Sequence, residues 1–208
     1  GDVIETMSEK VVESRKTILN LLLSNHKTDC FSCAQNGRCK LQDYCVEYGV
    51  ERTTYEGEMT EFPVDDSNPF FTYDPNLCIL CHRCVNTCNQ VVGRGAIDTM
   101  ERGFESSVGT PFGVPIRKST CESCGNCVEA CPTGALSSKR RKSFRPWQID
   151  KKVLTTCPHC GTGCQFYLVV KDNKIVDVEP ANGPSNKNLL CVKGRSGSFD
   201  FVHSADRV

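Results

Sequence analysis

No apolar run in the sequence approaches the ~18 residues that a membrane-crossing helix needs, so no span of a bilayer is expected. A charge bias is absent too. With 25 basic residues against 25 acidic ones, no bulk electrostatic pull toward nucleic acid or a membrane surface is expected. Apolar side chains are thin for one large core, at 38% of 208 residues, and aromatic ones reach 8% with one tryptophan. Several small units, held by something besides apolar burial, are the expected architecture. No initiator methionine precedes Gly1, no signal-peptide pattern follows it, and the closing "FDFVHSADRV" carries no terminating element. Both ends are therefore expected to be cut from a longer polypeptide.

What the chain has in excess is cysteine, 16 in all, and they fall into four groups of four. The groups are Cys30, Cys33, Cys39 and Cys45; Cys78, Cys81, Cys84 and Cys88; Cys121, Cys124, Cys127 and Cys131; Cys157, Cys160, Cys164 and Cys191. Cysteines this close in one loop aim several thiolates at a common point and rarely offer the oriented pairs a disulfide needs. A metal framework in a reducing, cytoplasmic compartment is expected.

"CILCHRCVNTC" and "CESCGNCVEACP" share the spacing C-x2-C-x2-C-x3-C, and each cysteine of the first recurs 43 residues later in the second. A common offset at every position marks a duplicated unit. In this bacterial ferredoxin run the fourth cysteine serves the other cluster. Three thiolates on a tight loop cover three corners of a cube, and the last corner must be covered from elsewhere. Cys78, Cys81 and Cys84 should therefore be joined by Cys131, and Cys121, Cys124 and Cys127 by Cys88. Structural zinc more often pairs separated C-x2-C knuckles, so 4Fe–4S clusters are expected here. Asn89 stands after the first run where Pro132 follows the second.

The other two groups are less decided by spacing. "NHKTDCFSCAQNGRCKLQDYC", residues 25–45, offers one histidine and four cysteines, five candidates for four positions. His26 could instead cap a helix and Cys45 could be a small buried apolar residue. Cys157-x2-Cys160-x3-Cys164-x26-Cys191 leaves a zinc ribbon open. His82 and His159 lie inside loops whose quartets are already complete, and His203 lies beyond any motif.

Around these groups, residues 6–24 read as a helix, with Thr6 and Glu9 as a capping box and Val11, Val12, Ile18, Leu19, Leu22 and Leu23 on one face. Residues 46–77 read as an irregular covering segment, and "GAIDTMERGFESSVGTPFGVPI" as small strands and turns. Residues 139–152 hold seven Lys and Arg and read as a solvated linker or partner-docking strip, pinned to a neighbour by Trp147. Phe166–Val170 and Ile175–Val178 read as a hairpin around "KDNK" that carries Cys191 back to the other three cysteines.

His26-x3-Cys30-x2-Cys33-x5-Cys39 with "NGRCKLQ" resembles the histidine–three-cysteine 4Fe–4S motif of iron-only hydrogenases, complex I peripheral-arm large subunits and many formate dehydrogenases. That resemblance implies His26 as a ligand and leaves Cys45 out. A neutral imidazole in place of a thiolate should raise the cluster's potential. "CPHCGTGC" and "NLLCVKGR" resemble the 4Fe–4S module of molybdopterin oxidoreductases, especially formate dehydrogenase catalytic subunits. This implies a cluster on Cys157, Cys160, Cys164 and Cys191, with Lys193 as an electron conduit toward a pterin. Asn188 stands where that family usually has glycine, a mild departure because Asn tolerates left-handed backbone.

The module order resembles that of cytosolic formate dehydrogenase catalytic subunits. The resemblance implies an α+β string of small iron–sulfur modules: 1–25 a connecting helix, 26–60 the histidine–cysteine module, 61–138 the ferredoxin pair, 139–153 a basic linker and 154–208 the molybdopterin-type module. It further implies four 4Fe–4S clusters, a Mo or W bis-molybdopterin guanine dinucleotide held beyond Val208, and NAD(P)H/flavin- and iron–sulfur-containing redox subunits or ferredoxin as partners. Two rivals stand beside formate oxidation: an electron-conduit subunit of a complex I-like or hydrogenase-linked complex, and a free-standing carrier or scaffold.

Overall fold

The computed structural model describes residues 2–197 and 199–207; Gly1, Ser198 and Val208 lie outside the described residues. Helices α1 (Glu9–Ser24) and α2 (Lys40–Tyr48) open the chain. Three antiparallel sheets follow among the described residues. β1 (Phe71–Tyr73) pairs with β4 (Leu136–Ser138), β2 (Asp98–Met100) pairs with β3 (Ser107–Gly109), and β5 (Lys151–Thr156), β6 (Gln165–Lys171) and β7 (Lys174–Pro180) form a meander. Short helices α3 (Arg83–Asn86) and α4 (Asn126–Ala130) each begin one residue before the third cysteine of a group, and α5 (Val192–Ser196) begins just after the fourth.

Three separate apolar clusters replace a single core. Leu19, Leu23, Leu41 and Val50 hold the first module. Phe71, Tyr73, Val85, Ile97, Val108, Ile116, Val128 and Leu136 hold the second. Phe166, Val178, Leu190 and Phe199 hold the third. Partly buried cysteines pack against every one of these clusters, so the cysteine-bearing loops form part of each module's interior.

The first helix starts later than its capping box requires. Ser8 is the N-cap, without a side-chain capping bond, and Glu9 is already the first helical residue, so it cannot reach back to Thr6 from the third position. Leu19 and Leu23 are buried as expected, whereas Ile18 is 56% exposed and falls off the packed face. Residues 46–77 are less irregular than their composition implies, because α2 runs to Tyr48 and ends on Gly49 at φ 64. From there the chain is tied to α1 by side-chain amides: Asn20 Oδ1 accepts from Thr54 N–H at 2.9 Å and Asn25 Oδ1 from Thr60 N–H at 2.8 Å.

The duplication is visible in the backbone. Leu80 and His82 sit at φ 52 and 56, and their counterparts Ser123 and Gly125 at φ 56 and 73. The left-handed residue at His82 or Gly125 caps α3 or α4 in turn. β1 and β4 flank the two repeats and close them into one unit. α3 runs on into a π-helical turn, Thr87–Val91, that carries Cys88.

The hairpin expected at 166–178 is present with a third strand, β5, on its outer edge. β5 lies at the end of the basic segment, where mostly exposed side chains hide the strand pattern. Asn188 adopts φ 66, the left-handed conformation that makes its replacement of glycine mild.

Candidate metal centres

All sixteen cysteines are free. In the ferredoxin-like unit, Cys78, Cys81, Cys84 and Cys131 line one small cavity. Cys88, Cys121, Cys124 and Cys127 line another. The sequence spacing assigns the same crossed quartets. Backbone N–H groups of Leu80 and Ser123 donate to Cys78 and Cys121 Sγ, each at 3.4 Å, and Ala96 N–H donates to Cys88 Sγ at 3.4 Å. Burial pushes the Cys78 thiol up to about 11, Cys84 up to about 12, and Cys127 well above its ordinary value. Thiolates so placed need compensating positive charge, which iron would supply when bound.

In the first module, His26, Cys30, Cys39 and Cys45 line a common cleft. His26 is 8% exposed, its Nδ1 has no hydrogen-bond partner, and burial lowers its pKa against the opposing pull of Asp74. A buried neutral imidazole with an unpartnered ring nitrogen has the chemistry of a metal ligand. Cys33 does not line the cleft; its Sγ abuts Gly134, yet it is close enough to Cys30 and Cys39 to push both thiols up. In each case burial is the larger cause.

In the last module, Cys164 is pushed up by burial and then by Cys157, Cys160 and Cys191, so that quartet also converges. Cys157 N–H donates to Cys164 O at 2.8 Å, and Gly194, in the first turn after Cys191, passes beside Cys157 and Cys191 Sγ. Lys193 lies on α5 and its charge helps, after the Thr162 bonds, to lower the Cys160 thiol. Among the described residues no three His, Cys, Asp or Glu side chains are set to hold a single metal ion. Grouped thiols, paired cavities lined by crossed quartets and N–H groups aimed at sulfur fit a 4Fe–4S cube.

The basic segment is a junction, which corrects its reading as a solvated linker. Arg141 is 5% exposed; its Nε donates to Asp177 Oδ2 at 2.8 Å and its Nη2 to Glu129 Oε1. Arg140 donates to Ser196 O at 2.7 Å and lies over the Phe199 ring. Trp147 does pin the segment: a Cβ on Gly37 would come within 2.9 Å of its ring, although the indole stays 67% exposed. Arg195 of "CVKGR" reaches the second module, donating to Cys124 O at 2.9 Å, Asn126 Oδ1 at 3.0 Å and Glu129 Oε1 at 2.9 Å. Neither Arg141 nor Arg195 was singled out by the sequence motifs, because their partners are distant in the chain.

Family models match three stretches in succession. Residues 15–54 match the NADH-ubiquinone oxidoreductase-G iron-sulfur binding region, 68–137 the ferredoxin-like domain of NADH-quinone oxidoreductase subunit 3, and 150–203 the molybdopterin oxidoreductase Fe4S4 domain. In order and kind, the three matched stretches make the chain similar to iron–sulfur regions of the NADH-quinone oxidoreductase-G and molybdopterin oxidoreductase type. It is similar along its whole length to an NADH-quinone oxidoreductase subunit of Rhizobium meliloti, at 38% identity over 24% of that protein. It matches the NADPH-Fe(3+) oxidoreductase alpha subunit of Geobacter sulfurreducens at 36% identity, again over 24% of the relative. A Staphylococcus aureus protein provisionally named a formate dehydrogenase is 29% identical over 99% of this chain and 25% of its own length. The chain thus spans about a quarter of the length of these relatives. Its fold resembles an NAD+-reducing NiFe-hydrogenase chain, with a TM-score of 0.60 and 27% identity over 64% of this chain and 57% of that one. No helix among the described residues of this iron–sulfur region is long and apolar enough to cross a membrane.

Proposed function

We propose that this iron–sulfur region is a four-station electron relay within a longer oxidoreductase. Four 4Fe–4S clusters, when bound, would supply one-electron transfer along the chain. His26, Cys30, Cys33 and Cys39 would hold the first. Cys78, Cys81, Cys84 and Cys131 would hold the second, and Cys88, Cys121, Cys124 and Cys127 the third. Cys157, Cys160, Cys164 and Cys191 would hold the fourth. The observation that carries the reading is the pair of cavities, each lined by three cysteines of one run and the last cysteine of the other.

Contacts between modules support that order. Lys40 N–H, beside Cys39, donates to Pro132 O, beside Cys131, at 2.8 Å. Cys33 lies against Gly134 of the same loop. At the opposite end, Arg195 holds Cys124 O, and Asn126 holds Leu190, the neighbour of Cys191. The two ferredoxin-type quartets thus stand between the first and fourth modules.

For the reaction at the ends, relatives named for NADH and NADPH chemistry are more alike this chain than the one named for formate, at 38% and 36% against 29%. We favour exchange with an NAD(P)H/flavin-containing subunit or a ferredoxin at one end, in a reducing cytoplasmic setting. The fourth module and Lys193 support delivery to or from a Mo or W pterin site beyond Val208. Formate oxidation there is the second reading. Anaerobic purification of the native full-length protein tests both. Iron and sulfide near sixteen atoms each per chain support the relay; zinc, or far less iron, refutes it. Dye reduction driven by formate, with pterin recovered from the protein, would select the second reading; reduction by NAD(P)H alone would select the first.

A further inference from the structure

Five potential donors belong to the first module, and the set His26, Cys30, Cys33 and Cys39 uses four. We propose that Cys45 is a reserve ligand of this site, able to replace His26 on one iron and make the set all-thiolate. Cys45 has this role only if the module holds a 4Fe–4S cluster, as proposed above.

Cys45 lines the same cleft as His26, Cys30 and Cys39. It is near enough to Cys39 and Cys30 for their charges to act on it. His26, nine-tenths buried with Nδ1 unpartnered, lines that cleft as well. Placement is firm at both ends of α2. Cys39 is the N-cap, and near the C-terminus Val50 N–H donates to Cys45 O at 2.8 Å. One short helix therefore fixes the separation of Cys39 and Cys45. In the exchange the iron–nitrogen bond to His26 breaks and an iron–sulfur bond to Cys45 forms. The thiol proton passes to the freed imidazole, and no electron is transferred. The rival role is packing, since Cys45 also touches the apolar cluster of Leu19, Leu23, Leu41 and Val50.

The test uses the full native chain with its partner subunits, prepared anaerobically as His26→Ala, Cys45→Ala and the double variant. Iron content and EPR-monitored redox titration are read, and the signals of the other three clusters report that each variant has folded. Cys45→Ala should keep the wild-type iron count and an unchanged first-module midpoint. His26→Ala should also keep the full count, with a lower midpoint because a thiolate adds negative charge where imidazole had none. The double variant should lose about four irons. Loss of about four irons from His26→Ala alone, with Cys45 present, overturns the proposal and leaves Cys45 a packing residue. Loss from Cys45→Ala alone overturns it as well, since Cys45 would then be an obligatory ligand. A wild-type chain short of iron would instead sink the cluster reading itself, so the two failures are distinguishable.

Discussion

Asn126 and Leu190 exchange a pair of hydrogen bonds: Asn126 Nδ2 donates to Leu190 O at 3.0 Å, and Leu190 N–H donates to Asn126 Oδ1 at 3.1 Å. Asn126 stands between Cys124 and Cys127, and Leu190 immediately precedes Cys191. One buried amide therefore docks the return segment of the last quartet onto the loop of the third. Asn126→Ala leaves the Leu190 backbone groups without partners, at a cost of about 1–3 kcal/mol. A lower thermal midpoint is expected, with faster amide exchange at Leu190–Ser196 and iron lost first from the last module. Unchanged exchange there would show that the docking holds without the amide.

Arg141 is a second such joint, and it carries charge. Its guanidinium is shared between Asp177 on β7 and Glu129 on α4, with side-chain exposures of 6% for Arg141 and 5% for Asp177. Arg141→Ala strands a buried carboxylate, which costs about 3–5 kcal/mol. Arg141→Lys should recover little, because one ammonium cannot reproduce Nε and Nη2 donating along two directions. Urea denaturation of the three proteins checks this. A lysine variant as stable as the wild type would mean that charge alone suffices.

Gly134 is fixed by what lies above it. A Cβ there would sit 2.5 Å from Cys33 Sγ and 3.2 Å from Leu77 Cδ1. Gly134→Ala should cost about 1–3 kcal/mol through overpacking and displace Cys33 from its place beside Cys30 and Cys39. Iron should fall by about four atoms per chain, with the signal of the proposed first-module cluster lost. Gly57→Ala, where a Cβ meets nothing within 4 Å, is the control and should change neither.

Much of the site was legible in spacing because cluster binding constrains short loops. The 43-residue offset reappears in the paired left-handed backbones at Leu80 and Ser123 and in their N–H bonds to Cys78 and Cys121. The hairpin was legible too, since Phe166 and Val178 are buried along β6 and β7. Arg141 was not. Its acidic partners lie 36 and 12 residues away on other elements, so within its own segment it is one cation in a run that composition assigns to solvent. β5 was hidden for a related reason: its residues are mostly exposed, and a strand held by ladder bonds on one edge leaves little apolar alternation to read. The choice between His26 and Cys45 rested on a resemblance and not on spacing alone, because both line the cleft formed where α1 and α2 pack on each other.

Asp65 gives the fold an acid limit apart from its metal chemistry. Burial pushes its carboxyl upward, but bonds from Ser67 and from Ile116 N–H, the latter at 2.7 Å, outweigh this and hold its pKa below the ordinary carboxylate value. A carboxylate with a folded pKa below its unfolded one adds stability above the unfolded value, and that stability fades as pH falls through the folded one. The expected loss therefore lies below about pH 4, the ordinary carboxylate range. Asp65→Asn removes a charge-assisted acceptor for Ile116 N–H, which anchors the 110–118 loop against the covering segment. The variant should be less stable at neutral pH by about 1–3 kcal/mol, and the difference from wild type should shrink toward about pH 3. Parallel denaturation curves across that range measure it. A difference that stays constant with pH would show that the Asp65 charge contributes nothing and that its acceptor geometry alone matters.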